Sequence, residues 1–465
     1  MTAPPLIGAE QSVACAINRA AGGRPIPGNR VDLLIDGPDS YAAMLEAIAN
    51  AKEWVHFENY IIRSDSAGWR FAELLARRAR EGIRVRVLYD WFGSLATARG
   101  YWRYLRAAGV DVRAFHRPQL LDVITNLSRN HRKLVVADGK RAILGGLCIG
   151  CEWTGEKHSG GQPWRDTAVD IRGPAAAILD QTFGNLWQLT GDPVPPDQVS
   201  GALDPSGNAE VRVISGEPGR ERAYRVIELL AVGSVQRLWI TDAYLVAPPR
   251  LFQALRDCAR DGVDVRLLVP GSSDIPLIRN LSRIGYRDLL RSGVRIYEWD
   301  GPMLHAKTIM CDNRWVRIGS SNLNPSSLLG NYELDVLIED PILAQSMEDQ
   351  FRHDVARSRE VASRLVRGPR RISRSLPTVL THQQPVNPSV YPRGSRETRR
   401  RAALVLRAVA SHARRSVFLP ISAIFVSLGL LLVALPKISA YVLAVLCAWV
   451  ALGTGREAFR RRGDR

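Results

Sequence analysis

The sequence has few cysteines for its length, with six in 465 residues. Domains stapled by disulfides carry many more per residue, so this count argues against a disulfide framework and favours a reducing compartment. Cys148 and Cys151 form a C-x-x-C pair, but the chain has no second pair to complete a four-ligand zinc site. We expect the cysteines to pack as small apolar side chains, and we expect neither a metal nor another cofactor.

Acidic residues are scarce near the end of the chain. Residues 364–415 contain 13 Arg against a single acid, Glu397, and residues 454–465 add a second basic segment. The formal net charge of +17 therefore comes mainly from this part, while residues 1–363 are almost neutral. Proteins that bind duplex nucleic acid neutralise its phosphates with cations, so the nearly neutral body predicts no nucleic-acid partner. The basic segments are typical of contact with anionic lipid.

Long apolar runs are also rare. The N-terminus lacks the basic stretch and apolar core of a signal peptide, so we expect none. Residues 417–435 and 438–452, separated by Pro436-Lys437, are free of charge. A transmembrane helix needs about 20 apolar residues, so we predict a membrane hairpin at 416–453, preceded by a basic linker (364–415) and followed by a basic tail (454–465). By the positive-inside rule both ends are cytoplasmic; a helical hairpin buried in the soluble body is the alternative.

Residues 31–363 alternate between short apolar runs and amphipathic segments. Residues 54–62 and 85–89 are typical of buried strands, and residues 41–51 and 67–81 of helices. Strands that alternate with helices indicate βαβ units and a mainly parallel sheet. The sequence therefore predicts an α/β protein.

The same series of elements occurs twice. Gly82 and the strand after it are matched by Gly262, at an offset of 180, and Gly109 is matched by Gly293, at an offset of 184. This periodicity predicts a duplicated α/β domain. We place the first half at 31–190, a linker rich in Gly and Pro at 191–209 and the second half at 210–363. Residues 1–30 are predicted to be a loosely held lead-in.

One chemical motif marks both halves. His131, Lys133 and Asp138 follow the spacing H-x-K-x4-D, which His305, Lys307 and Asp312 repeat. A short segment begins seven residues after each Asp: Gly145-Gly146-Leu147-Cys148 and Gly319-Ser320-Ser321-Asn322. Side chains two residues apart lie on one face of a strand, so each His and Lys are expected to project into one site. An imidazole can act as a nucleophile, and a lysine ammonium binds anionic oxygens.

The stretches NHRKLVVADGKRAILGG and LHAKTIMCDNRWVRIGSSNLNPSSL resemble the phospholipase D superfamily and, within it, bacterial cardiolipin synthases. The resemblance runs from about residue 31 to about residue 354. It implies a duplicated phospholipase D-like fold, with two mixed or mostly parallel sheets flanked by helices around a pseudo-two-fold interface. It also implies a phosphatidyltransferase that makes cardiolipin from phosphatidylglycerol at the bacterial inner membrane, with its catalytic body on the cytoplasmic side.

The resemblance assigns roles to the motif residues. His131 is the nucleophile that forms a covalent phosphatidyl-histidine, and His305 is the general acid, although the two copies alone leave this order open. Lys133, Lys307 and Asn322 hold the non-bridging phosphate oxygens.

Other residues of the two motifs are expected to support the site. Asp166 and Glu333 follow the motifs at matching places and orient the two imidazoles, with surface ion pairing as the alternative, and Ser320 is a further supporting residue. Asp138 and Asp312 belong to the catalytic motif, but their position after each strand favours a role in holding the fold.

The first copy departs from the family pattern at Cys148, where Asn is usual. A thiol is a poor substitute for an amide donor, so either this contact is dispensable or transition-state stabilisation is asymmetric. Glu58, Tyr60, Asp242 and Tyr244 occupy equivalent strand ends and either line the site or pack in the core.

Two alternatives compete with the transferase. A phospholipase D or phosphodiesterase would use the same residues with water as the acceptor, and an inactive lipid-binding scaffold is suggested only by Cys148. The sequence leaves open the donor and acceptor lipids, the balance between transfer and hydrolysis, membrane insertion and the oligomeric state.

Overall fold

A mixed β-sheet of fifteen strands runs through the computed structural model, which describes residues 9–116, 128–156 and 161–362. The strands are β1 (Ile26–Ile35), β2 (Trp54–Asn59), β3 (Arg84–Asp90), β4 (Asp111–Phe115), β5 (Leu134–Ala137), β6 (Arg141–Gly145), β7 (Thr167–Arg172), β8 (Ala209–Gly216), β9 (Arg237–Thr241), β10 (Asp264–Pro270), β11 (Arg295–Trp299), β12 (Thr308–Cys311), β13 (Trp315–Gly319), β14 (Glu333–Glu339) and β15 (Ser358–Glu360). Their order in space is β15-β11-β10-β9-β12-β13-β14-β8-β1-β7-β6-β5-β2-β3-β4.

Helices cover this sheet. They are α1 (Ala9–Ala21), α2 (Asp36–Asn50), α3 (Ser66–Arg80), α4 (Arg99–Ala107), α5 (Cys151–Thr154), α6 (Pro174–Trp187), α7 (Arg222–Gly233), α8 (Pro249–Arg260), α9 (Pro276–Ile284), α10 (Tyr286–Arg291) and α11 (Pro341–Ala356). Short 3-10 turns lie at Gln188–Thr190 and Pro196–Gln198, and one π-helical turn at Ser326–Gly330.

The strand order repeats about the junction of β1 and β8, as a duplicated domain requires. Strands β1 to β7 on one side of the junction correspond to β8 to β14 on the other, so the predicted duplication is confirmed.

A mixed sheet is confirmed, but the expectations of mostly parallel pairing and of two separate sheets are wrong. Within the described sheet, parallel pairing is confined to β2·β3, β3·β4, β9·β10 and β10·β11. After the parallel strands the chain reverses into the antiparallel series β5·β6·β7 and its counterpart β12·β13·β14, so antiparallel pairs prevail. The two expected sheets are also one, because β1 and β8 pair antiparallel, with Ile26 opposite Val211 and Asn29 opposite Ala209.

The predicted loose lead-in is ordered from Ala9 onward, as helix α1 and the start of β1. Ile17, Ala20 and Ala21 of α1 are buried in the core of the second half. These three residues are spaced i, i+3 and i+4, so they share one helix face. Alanine-rich composition concealed this face in the sequence, because its buried surface is made mostly of small side chains.

A shared core joins the two halves. Phe183 and Trp187 of α6 pack in the same buried cluster as Leu343 and Phe351 of α11, together with strands from both halves. Residues 1–366 accordingly form one compact unit. The halves are therefore held together by both hydrogen bonds and apolar packing.

The predicted membrane hairpin at 416–453, the basic linker at 364–415 and the basic tail at 454–465 lie outside the described residues. Among the residues that are described, no helix combines the length and apolar character that crossing a membrane requires.

Candidate active site

The two H-x-K motifs occupy equivalent places in the sheet. His131 and Lys133 lie in the extended stretch just before β5, and His305 and Lys307 just before β12. Because β5 runs antiparallel to β2, and β12 to β9, each motif lies at the carboxyl end of the parallel strands of its own half.

Short backbone bridges bring the two motifs together across the halves. Asn130 pairs with Tyr332, and the backbone N–H of His131 donates to the Tyr332 carbonyl at 2.9 Å. In the symmetric arrangement Leu304 pairs with Arg165, and the N–H of His305 donates to the Arg165 carbonyl at 2.7 Å. His131 of the first half thus lies beside the start of β14, and His305 of the second half beside the start of β7.

Each imidazole meets a carboxylate from the opposite half. His131 Nδ1 lies 3.0 Å from Glu333 Oε2, and His305 Nδ1 lies 2.8 Å from Asp166 Oδ2. Because a carboxylate only accepts, Nδ1 carries the proton in each ring and Nε2 is left with a free lone pair. The structure therefore brings together four of the expected site residues as two crossed pairs.

Both motif lysines are buried, with only 1% of each residue exposed. The ammonium groups of Lys133 and Lys307 donate to the carbonyl oxygens of His131 and His305. Lys133 Nζ also lies 5.2 Å from the centre of the Tyr60 ring, and Lys307 Nζ lies 5.9 Å from that of Tyr244. A buried cation is costly unless an opposite charge compensates it. The pair of ammonium groups therefore favours an anionic ligand.

The environment sets the charge of these groups. Burial, followed by the positive charge of Lys307, lowers the pKa of His305 to about 4. Burial and the charge of Lys133 likewise lower the pKa of His131, against the opposing effect of Glu333. Burial and the charge of Lys133 lower the pKa of Lys307 to about 8, while Asp166 opposes that shift. At neutral pH both imidazoles are therefore uncharged in the free protein.

The two carboxylates remain ionised despite their burial. Burial disfavours the charged form of Asp166, but His305 and Lys307 lower its pKa to about 2. In the same way His131 and Lys133 outweigh burial and lower the pKa of Glu333.

The glycines after each motif let a buried acid approach the backbone, Asp166 in the first half and Asp335 in the second. A Cβ atom at Gly146 would lie 2.2 Å from Asp166 Oδ1, and a Cβ atom at Gly319 would lie 2.1 Å from Asp335 Oδ1. Ser320, which comes next, donates to Glu333 Oε2, so it fixes this carboxylate. The side-chain oxygen of Asn322 is buried and has no hydrogen-bond partner among the described residues. This oxygen can only accept, so the contact proposed to a phosphate oxygen would come from the N–H groups of the same amide.

Cys148 lies at the position equivalent to Asn322 and is buried. Burial raises the pKa of its thiol, so this side chain is neutral, with Lys133 and Lys307 exerting the opposite influence. Four of the five described cysteines are buried, as expected, whereas Cys15 is exposed.

We expect Cys148→Asn to raise the rate of the chemical step by about tenfold, because a hydrogen bond to a charged group is worth about 1.5–3 kcal/mol. Steady-state kcat measured beside a Cys148→Ser control checks this, since serine keeps the small size without the amide. If kcat of Cys148→Asn is no higher than that of the unmodified protein, an amide at this position makes no hydrogen bond to the reacting phosphate.

The motif aspartates lie apart from this group, at the far ends of β5 and β12. Asp138 accepts from the backbone N–H groups of residues 52–54, and Asp312 from those of residues 235–237. Both have a left-handed backbone, with φ of 53° and 52°. The structure thus does not bring them to the imidazoles. Listing Asp138 and Asp312 among the catalytic residues is corrected, because their contacts are those of residues that hold the ends of the strands.

Sequence reasoning missed an aromatic wall around His305. Trp153 Nε1 donates to Asp166 Oδ2 at 2.9 Å, and its ring centre lies 5.5 Å from that of His305. Trp164 and Tyr244 complete this wall at ring distances of 5.8 and 6.0 Å. Tyr60 lines the His131 side, at 4.9 Å. The tyrosines could be suspected from their strand ends, whereas neither tryptophan follows a period that marks it.

The equivalent acids at strand ends serve the scaffold. Glu58 accepts from Asn130 Nδ2 at 2.8 Å, and Asp242 accepts from the N–H of Leu323 at 2.8 Å. Both carboxylates are buried, which raises their pKa. Across residues 9–116, 128–156 and 161–362, no group of three or more His, Cys, Asp or Glu side chains is arranged to hold a metal ion.

Comparison with known proteins agrees with this geometry. Residues 44–156 and 227–355, each containing one motif, match the family model described as cardiolipin synthase, PLD-like domain. The chain is 34% identical over 337 residues to cardiolipin synthase A of Pseudomonas putida (strain GB-1), which covers 72% of this chain and 70% of that protein. It is 35% identical over 338 residues to cardiolipin synthase A of Pseudomonas entomophila (strain L48), with the same two coverages.

A solved structure shares the fold. Phosphatidylserine synthase of Haemophilus influenzae Rd KW20 superposes with a TM-score of 0.60 at 17% identity, covering 75% of this chain and 92% of that one.

Proposed function

The chain belongs to the cardiolipin synthase family, phosphatidyltransferases of the phospholipase D superfamily, and from this premise we propose that it makes cardiolipin from two molecules of phosphatidylglycerol. One observation carries the proposal. Two neutral imidazoles, each held at Nδ1 by an acid of the opposite half, lie with two buried ammonium groups that favour an anion.

In the first step the Nε2 atom of His131 attacks phosphorus of the donor lipid, and a phosphorus–nitrogen bond replaces the bond to the glycerol headgroup. The bound phosphodiester offsets the positive charges of Lys133 and Lys307, so His305 takes up a proton in the complex. His305 then gives this proton to the departing glycerol oxygen. The two lysines and Asn322 hold the non-bridging oxygens throughout.

In the second step a hydroxyl group of another phosphatidylglycerol attacks the phosphatidyl-His131 intermediate. His305 removes the proton of this hydroxyl, a phosphorus–oxygen bond forms and His131 is released as a neutral imidazole. Water in place of the lipid alcohol would give phosphatidic acid, which is the hydrolase alternative.

Product analysis tests the proposal. We expect the purified full-length protein, incubated with vesicles of phosphatidylglycerol, to form cardiolipin and glycerol in equal amounts. Phosphatidic acid as the main lipid product would identify a hydrolase instead. If neither product forms, the inactive scaffold is the better explanation.

The lowered pKa of Lys307 predicts a particular pH profile. The ammonium form that holds phosphate is present below pH 8 and is lost as the pH rises through the pKa of about 8. Because kcat/KM reports groups of the free enzyme, proton uptake by His305 already makes it decline with pH. The loss of the Lys307 proton should add an alkaline limb, a further fall of about tenfold per pH unit above pH 8. On the acid side, the lowered pKa of His131 keeps the nucleophile neutral, so activity persists below pH 6.5.

The matched variants are Lys307→Arg and Lys140→Arg. Arginine stays charged across this range, so Lys307→Arg should remove the alkaline limb even if the absolute rate is lower. Lys140 is exposed and outside the site, so Lys140→Arg should keep the limb. An alkaline limb near pH 8 that survives Lys307→Arg would assign it to another group.

The membrane is the proposed source of both substrates, with the catalytic body on its cytoplasmic side. Exposed apolar side chains beside each motif support this proposal. Phe92 and Leu95, in the turn after β3, are 58% and 60% exposed. Ile275, Leu277 and Ile284, in and beside helix α9 after β10, are 41%, 62% and 44% exposed. Exposed apolar patches mark interaction sites, and these side chains follow β3 and β10, at the end of the parallel strands where each half carries its motif.

We expect the double variant Phe92→Ser with Leu277→Ser to lower activity on vesicles by about tenfold or more, because each buried side chain of this size contributes about 1.5–3 kcal/mol. Activity on short-chain phosphatidylglycerol dispersed as monomers provides the reference. The matched control is Val232→Ser with Val235→Ser, which changes two valines that are 75% and 78% exposed at the opposite end of β9. An equal loss on vesicles and monomers would contradict the membrane contact.

A further inference from the structure

A cavity of about 460 Å³ lies next to the His305 side of the site, and no step described above uses it. Its polar lining comes from Gln162, Ser272, Ser273 and Asp274, and its aromatic wall from Trp164. Small-molecule sites range from about 300 to 1,000 Å³, so the cavity has room for a lipid headgroup.

The cavity is coupled to His305 through two aromatic rings. Tyr244 donates its hydroxyl to Asp274, at 2.8 Å from Oδ1 and 3.0 Å from Oδ2. The Tyr244 ring centre lies 6.0 Å from that of His305, and the Trp164 ring centre lies 5.8 Å from it. A ligand in this cavity would therefore extend toward the imidazole that handles the proton of the attacking alcohol.

The chemistry of the lining suits a neutral polyol. Ser272 and Ser273 can donate and accept, an ionised Asp274 accepts from hydroxyl groups, and Trp164 offers an apolar face to carbon–hydrogen groups. The negative charge of Asp274 disfavours a phosphate inside the cavity, so the reacting phosphate is expected to stay with the lysines and the acceptor lipid's own phosphate to lie outside the cavity. The equivalent turn of the first half, after β3, exposes the apolar side chains Phe92 and Leu95 instead of serines and an aspartate. The polar lining is therefore a feature of the His305 side.

We propose that this cavity binds the glycerol headgroup of the acceptor lipid, with Asp274 accepting hydrogen bonds from its hydroxyl groups. The inference rests on the proposed transfer reaction and names the acceptor subsite within it. Asp274 acts as a positioning residue: it holds one hydroxyl while the neighbouring hydroxyl presents its oxygen to phosphorus and its proton to His305. The phosphorus–nitrogen bond to His131 breaks as the new phosphorus–oxygen bond forms.

The test is a competition between two soluble alcohols for the phosphatidyl group. Glycerol has additional hydroxyl groups for Asp274 to hold, whereas ethanol has none. Both alcohols are radiolabelled, because the glycerol product is the donor lipid itself, and the preference is the ratio of labelled phosphatidylglycerol to labelled phosphatidylethanol. We expect this preference of the full-length enzyme for glycerol to fall about tenfold in both Asp274→Asn and Asp274→Ala, because charge-assisted hydrogen bonds are about twice as strong as neutral ones. Asp349→Asn, at an exposed position on α11, is the control and should keep the ratio.

An unchanged ratio in Asp274→Asn overturns the inference, and this conservative variant decides the question even if Asp274→Ala does not fold. The failure of the underlying proposal looks different. In that case the unmodified enzyme releases only phosphatidic acid and transfers the phosphatidyl group to neither alcohol.

Discussion

His131→Ala is expected to abolish measurable cardiolipin formation, with a loss of about 10⁴-fold or more, because removing the nucleophile of a concerted catalytic group destroys most of its rate enhancement. In the proposed mechanism this imidazole has no substitute, since the other ring is held by Asp166 and is assigned to the leaving oxygen. Phosphatidylglycerol radiolabelled at phosphorus should leave no label on this variant after an alkaline denaturing quench, which preserves the acid-labile phosphorus–nitrogen bond. His353→Ala, an exposed position on α11, should retain label and activity.

His305→Ala separates the roles of the two histidines. A donor lipid with p-nitrophenol as its leaving group needs no general acid, so we expect this substrate to restore labelling of His305→Ala but not of His131→Ala. The phosphatidyl-enzyme should also accumulate in His305→Ala, because the acceptor alcohol lacks its base. The reverse pattern would assign the nucleophile to His305, which the symmetry of the two motifs permits.

Arg317→Ala is expected to destabilise the protein by about 3–5 kcal/mol, the usual cost of leaving one partner of a buried ion pair alone. Arg317 and Asp335 have only 1% of their side chains exposed, and their closest atoms lie 2.7 Å apart. Asp335 also accepts from the backbone and hydroxyl of Ser321, next to Asn322, a proposed phosphate-binding residue. Urea unfolding of the full-length protein measures this loss.

Arg295→Ala is the matched control for that experiment. The Arg295–Glu360 pair is exposed, at 46% and 47%, although its closest atoms lie 2.9 Å apart. Exposed pairs contribute about 0–1 kcal/mol, so the control should be nearly neutral. Similar losses in the two variants would contradict the claim that burial makes the Arg317 pair important.

Local patterns predicted much of the fold. The apolar run at 54–62 appears as β2, and the segments at 41–51 and 67–81 appear as α2 and α3. The pattern of apolar residues over a short stretch of chain determines these elements, and that pattern can be read directly from the sequence. The doubled motif likewise identified both imidazoles and both lysines, because their spacing is fixed by the extended chain before one strand.

Contacts between distant segments could not be read in this way. Nothing in the spacing shows that Glu333 serves His131 while Asp166 serves His305, since each acid also follows the motif of its own half. The pairing of β1 with β8 is equally hidden, because the sequence of the outermost strand of each half does not indicate which strand it pairs with. Asp138 and Asp312 illustrate the opposite limit, where a shared motif suggested chemistry and backbone hydrogen bonds showed a structural role.

The continuous sheet also limits how the enzyme can move. Sites formed between two domains commonly open and close by a hinge, but here β1 and β8 are hydrogen-bonded across the junction and α6 and α11 share one core. Rotation of one half against the other would break these contacts and pull each histidine from its acid. We therefore expect the two histidine–acid pairs to be in place before substrate arrives, with no hinge motion between the halves during turnover.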